Sequence, residues 1–484
     1  MSALRPRSRW GAALGGLAAL LGVSTAWGFS VDDALISIRV AHQLALGHGY
    51  RFNVDGPSVD CVTPLGWAHV LAPFAGGDVY RALSWASAAG AAAWIAAGAL
   101  LGWRSVSSRA PWRSASVLLV LAGCLPLSAW AVSGMETAIV MLLGCAALER
   151  GRLGALCAGL AAAWRPELLP WAITLAFGSA LGRREPVSRR CLALGLALLP
   201  ALAVAVTRAS LFGHPAPLAI FAKPSDTEHG LRYAFGFLLL SGPPCLLLTR
   251  RNWRALGPEY WAIAVASAVH VVVLVGIGGD WMPFWRLGVP VLPGVLRLGA
   301  AIAERSGGLA HAARLALALS CAALLHVNKA ADARGVRAQR ARLISEAAPL
   351  LVGAERVASV DIGWVGAATP EHVVDLAGVT DPEVAHLPGG HTSKRLAHEF
   401  LERRAVDALV LLLEPHVELP AGLDSVKRVR AARAVEQHVL TLRGADEFAV
   451  AGTLPLTASQ SYVVLRRGLA RPAQPHEPTR SESP

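Results

Sequence analysis

The chain has 484 residues, of which 54% are hydrophobic and 16% are charged. This composition excludes an ordinary soluble, disordered or fibrous protein, because soluble domains carry about 25% charged residues. The formal net charge of +12 lies entirely in residues 1–327, which hold 26 Lys and Arg against 14 Asp and Glu, whereas residues 328–484 hold 19 of each; we therefore expect positively charged loops at a membrane face and no nucleic-acid partner.

Apolar stretches fill the first part of the chain and predict a polytopic α-helical membrane protein with about 11 spans. A helix needs about 20 residues to cross a bilayer. The stretches at 135–149 and 152–164 are shorter, so a total of ten or twelve spans remains an alternative. The first stretch follows Arg5, Arg7 and Arg9 as in a signal peptide, but its length favours a retained span. The stretches are 10–29, 82–102, 115–132, 135–149, 152–164, 167–182, 191–212, 231–249, 258–277, 284–303 and 309–327.

Arginine is shared unequally between alternate loops of this predicted bundle. The loops on the side of the N-terminus carry most of the arginines, which predicts that this side is cytoplasmic. The loops 30–81, 213–230 and 278–283 and the C-terminal tail then lie on the extracytoplasmic side. We therefore expect a multi-pass protein of the inner (cell) membrane, with its N-terminus inside the cell and its C-terminus outside.

From Asn328 onwards the apolar stretches give way to short segments that are typical of strands, with a predicted helix at Lys394–Arg404 between two of them. Strands that alternate with helices predict a small α/β domain. We therefore divide the chain into a membrane domain at 1–327 with its first loop at 30–81, an extracytoplasmic α/β domain at 328–470 and a disordered tail at 471–484. The predicted strands are Val357–Asp361, His372–Leu376, Ala408–Leu413 and Tyr462–Arg466.

The first extracytoplasmic loop begins with two adjacent carboxylates, Asp32 and Asp33. Apolar side chains then recur at helical spacing, which predicts an amphipathic helix at the membrane interface that ends near Gly47 or Gly49. One interpretation is helix capping, in which Ser30 or an Asp accepts hydrogen bonds from free N–H groups. Since one Asp is enough for a cap, the other is available as a general base for a hydroxyl group. Two adjacent carboxylates also suit a hard divalent cation.

Further charged residues fall in the same set of predicted extracytoplasmic turns. The acidic ones are Glu136, Glu167 and Asp280, and the basic ones are Arg165, Lys223 and Arg286, with Trp281 beside Asp280. Taken singly they suit anchoring at the membrane interface, and Arg165 and Glu167 suit a simple ion pair. Taken together they predict a functional site, because ionisable groups at membrane depth are costly. Carboxylates and cations beside lipid suit a substrate with a phosphate head and a hydroxyl acceptor.

Several of these elements resemble a known family of enzymes. Val31–Arg39, Gly47–Gly49 and Asn53 resemble the first loop of GT-C-fold glycosyltransferases, which are polytopic and take sugars from polyprenyl-phosphate donors. Other elements are similar to the subgroup related to cell-wall arabinofuranosyltransferases and to its extracytoplasmic tail. These elements are Ser133–Thr137, Arg165–Glu167, Gly278–Pro283, Asp361–Gly363 and Asp375–Pro382.

The chain also departs from the pattern of this family at two places in the first loop. The Trp of Thr63–Trp67 follows Gly66 and not Leu65. Asp60-Cys61 stands where Glu-Gly is commoner.

The resemblance implies an inverting glycosyltransferase that moves a sugar from a polyprenyl-phosphate donor to an extracytoplasmic glycan, lipid or protein acceptor. Its catalytic base lies in the first loop, and this role falls to Asp32 or Asp33, with Asp32 favoured. We expect Lys223 and Arg286, with Arg165 as a third candidate, to hold the donor phosphate. No cofactor or metal is required, since the leaving phosphate carries its own charge, but a divalent cation bound by the Asp pair stays open.

Two other classes of protein remain alternatives. A transporter or flippase of a lipid-linked substrate fits the many spans, but it predicts charges at the bilayer midplane and repeated halves. Here the charges cluster at loops on one side, and the two halves do not repeat. A non-catalytic assembly protein would use the C-terminal domain as a binding module. Loss of function on substitution of Asp32 or Asp33, at normal protein level, would argue against that class.

Overall fold

The computed structural model describes residues 8–149, 151–414 and 431–468. The predicted disordered tail at 471–484 therefore lies outside the described residues. The chain folds into two compact units. The first comprises Met1–Phe52, Ser58–Ile220 and Pro224–Ala338, and the second comprises Asn53–Pro57, Phe221–Lys223 and Gln339–Pro484. Two short loop segments of the predicted membrane domain thus belong to the second unit.

The first unit is built from helices. Leucine and alanine, which dominate its sequence, are strong helix formers, and a helix satisfies its own backbone hydrogen bonds where water is excluded. The residues of α15 beyond Ala338 belong to the second unit. The helices are α1 (Arg9–Ala26), α2 (Asp32–Ala45), α3 (Trp67–Leu71), α4 (Val79–Ser105), α5 (Pro111–Gly123), α6 (Leu125–Val132), α7 (Thr137–Ala147), α8 (Arg152–Trp164), α9 (Leu169–Gly182), α10 (Val187–Phe212), α11 (Leu218–Ala222), α12 (Thr227–Leu240), α13 (Pro258–Gly276), α14 (Leu292–Glu304) and α15 (Gly308–Leu351).

Five helical segments of the described chain are long and apolar enough to cross a membrane, or six if α5 and α6, which meet at a bend of 55°, form one span. This agrees with a multi-pass membrane protein but does not support the expected 11 spans. The predicted stretches at 135–149, 152–164 and 167–182 form α7, α8 and α9, which have only 11, 13 and 14 residues. The predicted first span, α1, is also not among the five, which are Val79–Ser105, Val187–Phe212, Pro258–Gly276, Pro283–Glu304 and Gly308–Leu351.

Small residues allow α1 and α4 to lie in close contact. Gly11 and Gly15 of α1 face Gly98 and Gly102 of α4, and a Cβ atom added at Gly15 would lie 2.0 Å from the carbonyl oxygen of Gly98. No side chain fits at that distance, so the two backbones pack directly, as in many pairs of membrane helices. This contact fixes α1, which leads directly into the two carboxylates at the start of α2.

The second unit contains a small sheet domain. Its strands are β1 (Arg356–Ser359), β2 (His372–Asp375), β3 (Ala408–Leu413), β4 (Phe448–Pro455) and β5 (Ser461–Arg467), and its further helices are α16 (Ile362–Ala368), α17 (Pro382–Ala385), α18 (Phe400–Arg403) and α19 (Ala434–Val439). The strand order is β2-β1-β3-β5-β4. β1 runs parallel to β2 and β3, whereas β5 runs antiparallel to β3 and β4. The prediction of a small C-terminal α/β domain is therefore confirmed.

All four predicted strands are confirmed, with ends that differ by at most two residues. β4 is a further strand that the sequence pattern does not indicate. It lies at the edge of the sheet, and its register shifts between Val450 and Gly452. An irregular edge strand lacks the regular alternation by which a strand is recognised in sequence.

The predicted helix Lys394–Arg404 is wrong in its extent, because only Phe400–Arg403 is helical. The Lys394 side chain is buried. Its ammonium group donates hydrogen bonds to the carbonyl oxygens of Ala385 and Leu387, at 2.7 and 3.0 Å. These contacts hold the segment as a loop against α17, so a tertiary interaction overrides the local helical preference.

Candidate functional site

The two carboxylates of the first loop lie in the first turn of α2. Asp32 and Asp33 are its first two residues, and the N-cap position is held by Val31. The predicted capping by Ser30 or an Asp is therefore wrong, and the Ser30 hydroxyl instead donates to the carbonyl oxygen of Ser133 at 3.3 Å. Acidic side chains in the first turn still interact favourably with the positive end of the helix dipole.

Arg286 joins the start of α2 to the loop between α13 and α14. Its Nη1 donates to Oδ2 of Asp33 at 2.8 Å, and its Nε donates to Oδ2 of Asp280 at 2.7 Å. The side chains of Arg286 and Asp280 are buried, whereas that of Asp33 is 25% exposed. The guanidinium carbon also lies 5.7 Å from the centre of the Trp130 ring. Asp33 is therefore held in a fixed position and still reaches solvent.

The loop that carries Asp280 and Arg286 has a constrained backbone. Phe284 and Trp285 have φ values of +60° and +50°, a conformation that costs non-glycine residues roughly 1–3 kcal/mol. Gly279 also has a positive φ, and a Cβ atom there would lie 2.6 Å from the Tyr233 ring. The indole N–H of Trp130 donates to the carbonyl oxygens of Pro283 and Phe284, at 3.1 and 3.2 Å. Such strain persists only where surrounding contacts enforce it, and it is common at functional sites.

Arg165 forms a second ionic group of the same composition. Its Nη1 donates to Oε1 of Glu136 at 2.9 Å, and its Nε donates to Oε1 of Glu167 at 2.7 Å. Glu136 is completely buried, and no group in the described part of the chain bonds to its Oε2. Glu136 is also close enough to Arg286 to interact with it electrostatically. The predicted pairing of Arg165 with Glu167 is therefore confirmed, with Glu136 as an additional partner.

Neutral contacts bring together the chain segments that carry these charges. Phe29, just after α1, packs edge-on against Trp130 of α6, with ring centres 5.6 Å apart. The indole N–H of Trp67 donates to the carbonyl oxygen of Gly134 at 3.3 Å. We call the six residues Asp33, Glu136, Arg165, Glu167, Asp280 and Arg286 the carboxylate network.

The remaining predicted site residues, Trp281, Asp32 and Lys223, are not among the six residues of the carboxylate network. Trp281 is 60% exposed and stacks on His229, with ring centres 4.1 Å apart. His229 carries no signal in the sequence, because a single His at the start of a helix has no distinctive spacing. Asp32 is half-buried. Lys223 is half-buried and belongs to the second unit, so its cooperation with Arg286 stays a prediction.

The balance of charge bears on the roles predicted for the two arginines. The carboxylate network holds four carboxylates and two guanidinium groups, and each guanidinium is shared by two carboxylates. A donor phosphate would have to compete with these carboxylates for Arg165 or Arg286. Among the described residues, no group of three or more His, Cys, Asp or Glu side chains is placed to hold a metal ion. A cation at Asp32 and Asp33 stays a prediction.

A further buried ion pair, between Arg208 and Asp60, was not predicted from the sequence. Nε of Arg208 in α10 donates to Oδ2 of Asp60 at 2.7 Å, and both side chains are buried. Burial raises the pKa of Asp60, although Arg208 opposes the shift. The signal was an arginine inside an apolar stretch, which is a mark of a functional or structural site in membrane proteins.

The second unit has its own polar group around Asp361, one of the residues that carry the family resemblance. Arg433 donates from Nη1 and Nη2 to the two carboxylate oxygens of Asp361, at 2.8 and 3.1 Å, and the Tyr462 hydroxyl donates to the same carboxylate at 2.6 Å. Although burial acts to raise it, Arg433 holds the pKa of Asp361 below its usual value. Burial raises the pKa of the adjacent Glu436 to about 7.

Asp375 lies in the Asp375–Pro382 segment, which also carries the family resemblance, and its side chain orders a loop. Its carboxylate accepts hydrogen bonds from the backbone N–H groups of Ala377, Gly378 and Thr380, at 2.7, 3.0 and 2.6 Å. Burial nevertheless raises its pKa to about 6. These contacts assign Asp375 a structural role at the end of β2.

Comparison with known proteins adds information on the second unit. Residues 329–464 are similar to a family described as a domain of unknown function (DUF8728). The matched region is less than half of the chain and contains strands β1 to β4 and the first four residues of β5. No curated protein matches the chain.

Proposed function

We propose that this protein is an inverting glycosyltransferase that moves a sugar from a polyprenyl-phosphate donor to an extracytoplasmic glycan, lipid or protein acceptor. The proposal places it in the inner membrane, with its N-terminus in the cytoplasm and its C-terminus outside. The observation that carries it is the pair of accessible carboxylates at the start of α2, of which Asp33 is held by Arg286 and, through it, by Asp280.

In the proposed reaction the acceptor hydroxyl attacks the anomeric carbon of the donor sugar. The base takes the hydroxyl proton as the new C–O bond forms, and the old C–O bond breaks so that the lipid phosphate leaves with the electron pair. Sugar transfer develops positive charge on the ring. A site with more carboxylates than cations stabilises that charge because its dipoles and charges are already in place.

We keep Asp32 as the favoured base and Asp33 as an acceptor contact or cation ligand. The hydrogen bond from Arg286 to Oδ2 of Asp33 fixes the start of α2, where both carboxylates lie. Arg286 and Asp280 then act as positioning residues. Lys223, Arg286 and Arg165 stay the candidate contacts for the donor phosphate, and Arg286 and Arg165 are each shared by two carboxylates.

The proposal is tested with purified full-length protein and a panel of synthetic polyprenyl-phosphate sugars, by measuring release of the lipid phosphate. Asp32→Asn and Asp33→Asn keep shape but remove proton acceptance, and loss of a general base costs about 10²–10⁴ in rate. The matched control is Asp78→Asn. Asp78 caps α4 through the N–H of Tyr80 at 2.9 Å, and Asn is an equally good cap.

At least one of the two site variants should lose turnover while it keeps the melting temperature of the wild type, and Asp78→Asn should retain both. Near wild-type rates in both site variants would contradict the mechanism. In cells that lack the protein, mass spectrometry should detect accumulated lipid-linked sugar. Movement of that lipid across reconstituted vesicles, with no new glycosidic bond, would instead support the alternative of a transporter or flippase.

A further inference from the structure

Two arginines from distant parts of the first unit bond to the same residue, Ser306. Arg113 of α5 donates from Nη1 to the Ser306 carbonyl oxygen, and Arg314 of α15 donates from Nη2 to the Ser306 hydroxyl. The side-chain amide of Asn252 also donates to this hydroxyl, at 2.8 Å. Ser306 is buried, so the three donors converge on a point below the protein surface.

His311 lies next to these two arginines. Its Nε2 lies 2.8 Å from the hydroxyl of Ser116, and the ring interacts electrostatically with Arg113 and Arg314. His311 and Arg314 are only 6% and 8% exposed, whereas Arg113 is exposed. We call Arg113, Asn252, Ser306, His311 and Arg314 the Ser306 cluster.

The Ser306 cluster has no acidic partner in the described part of the chain: no Asp or Glu there forms an ion pair with Arg113, His311 or Arg314. Glu304, two residues before Ser306, pairs with Arg305 at 3.5 Å. The buried arginines Arg165, Arg208 and Arg286 each have a carboxylate within 3 Å. Burying a cation without a counter-ion costs free energy. Binding of an anion from outside the chain would offset that cost.

Local structure reinforces this preference for an anion. Arg113 lies in the first turn of α5, and α15 begins at Gly308, close in sequence to Ser306 and His311. Helix N-termini present free N–H groups and the positive end of the helix dipole, both of which favour negative charge.

The surroundings of the cluster distinguish a lipid from a free ion. Trp112, next to Arg113, is 80% exposed, and Leu309, next to the start of α15, is 87% exposed. The cluster also lies at the end of α15, one of the five candidate spans. Cations rimmed by exposed apolar side chains at the end of a membrane helix are the setting in which anionic lipid head groups bind.

We propose that the Ser306 cluster binds the phosphate head group of an anionic phospholipid. Arg113 and Arg314 bond to two oxygens of the phosphate, Asn252 and Ser306 position the arginines, and Trp112 and Leu309 contact the acyl chains. The site is separate from the carboxylate network and independent of the proposed glycosyl transfer.

Native mass spectrometry of the full-length protein in detergent tests the proposal. Phosphatidylglycerol, phosphatidylcholine and inorganic phosphate are titrated separately onto wild type, Arg113→Gln, Arg314→Gln and the double variant. The matched control is Arg189→Gln, which removes an exposed arginine from the first turn of α10. Wild type and the control should prefer phosphatidylglycerol, and the double variant should lose about tenfold or more of its affinity, since hydrogen bonds to charged groups are the strong ones.

Three results would overturn the proposal. One is equal retention of phosphatidylglycerol by wild type and the double variant, and another is no preference over phosphatidylcholine in the wild type. The third is tight binding of inorganic phosphate at the same concentration, which would identify a free anion as the ligand. If Arg314→Gln does not fold, Arg113→Gln decides the question, because its side chain is exposed and its removal leaves the buried groups in place.

Discussion

The carboxylate network and the Ser306 cluster use arginine in opposite ways within one helical unit. In the network, Arg286 and Arg165 are each held between two carboxylates of the same chain. In the cluster, Arg113 and Arg314 converge on an uncharged serine. An arginine with internal counter-ions therefore positions other groups of the protein, whereas the buried Arg314, which has none among the described residues, keeps its charge available for a ligand.

Removal of the central cation of the carboxylate network should have the largest effect on stability. Arg286→Leu leaves Asp33 and Asp280 without their shared partner, and breaking a buried ion pair costs about 3–5 kcal/mol of unfolding free energy. Thermal unfolding in detergent measures the loss. Arg232→Leu is the control, because its pair with Glu228 is exposed and exposed pairs contribute only about 0–1 kcal/mol. Equal melting temperatures for the two variants would show that the network does not stabilise the protein.

Lys223 extends the comparison to a cation with no ion pair among the described residues. Lys223→Ala should weaken binding of a synthetic polyprenyl-phosphate sugar by about 1.5–3 kcal/mol, the range for hydrogen bonds to charged groups, without loss of stability. Titration calorimetry gives the affinity, and Lys329→Ala removes an exposed lysine of α15 as the control. Unchanged donor affinity in both Lys223→Ala and Arg286→Ala would remove the phosphate role from both residues.

Arg433 in the second unit belongs to an ionic group whose contribution to stability should depend on pH. It forms ion pairs with both Asp361 and Glu436, yet burial raises the pKa of Glu436 from its ordinary value to about 7. Because the folded state holds this proton more tightly than the unfolded state, stability is greatest below about pH 4.5 for this group and falls as the pH rises to about 7.

Glu436→Gln keeps the shape and the acceptor oxygen but removes the titration. At pH 8 it should stabilise the second unit by roughly 2 kcal/mol relative to wild type, with little effect near pH 4.5. Hydrogen-exchange protection of β3 in the full chain measures the difference, because the Leu412 N–H donates to Glu436 at 3.1 Å. Equal protection of wild type and variant at pH 8 would show that Glu436 is ionised without cost.

The smallest expected effect has the opposite sign to that of Arg286→Leu. In detergent without anionic lipid, Arg314→Gln removes a buried charge that has no counter-ion among the described residues. It should raise the unfolding free energy by about 1 kcal/mol, because burying an unpaired charge is costly. Thermal unfolding detects the change, and added phosphatidylglycerol should reverse the order of wild type and variant. A lower melting temperature of Arg314→Gln without lipid would show that Arg314, like Arg286, stabilises the protein. That result would contradict the difference between the Ser306 cluster and the carboxylate network.

Much of the local architecture could be predicted from sequence because it depends on near neighbours. The helical spacing after Asp33 correctly predicted α2, and strand-like runs correctly predicted β1, β2, β3 and β5. Apolar composition indicated a multi-pass membrane protein but not the number of spans. A short apolar run forms a helix whether or not it crosses a bilayer, and α7 and α8 are such short helices.

Sequence by itself therefore determined the membrane class of the protein, its helical first part, its C-terminal sheet domain and the charged turns from which the carboxylate network is made. Only the tertiary structure decided which charges meet. Asp33 and Arg286 are 253 positions apart in the sequence. Arg208 and Asp60, which also form an ion pair, are 148 positions apart. Such pairings depend on how helices pack and on where each one ends, and no local pattern encodes either. The same packing brings Arg113 and Arg314 to one serine, a juxtaposition that neither flanking sequence reveals.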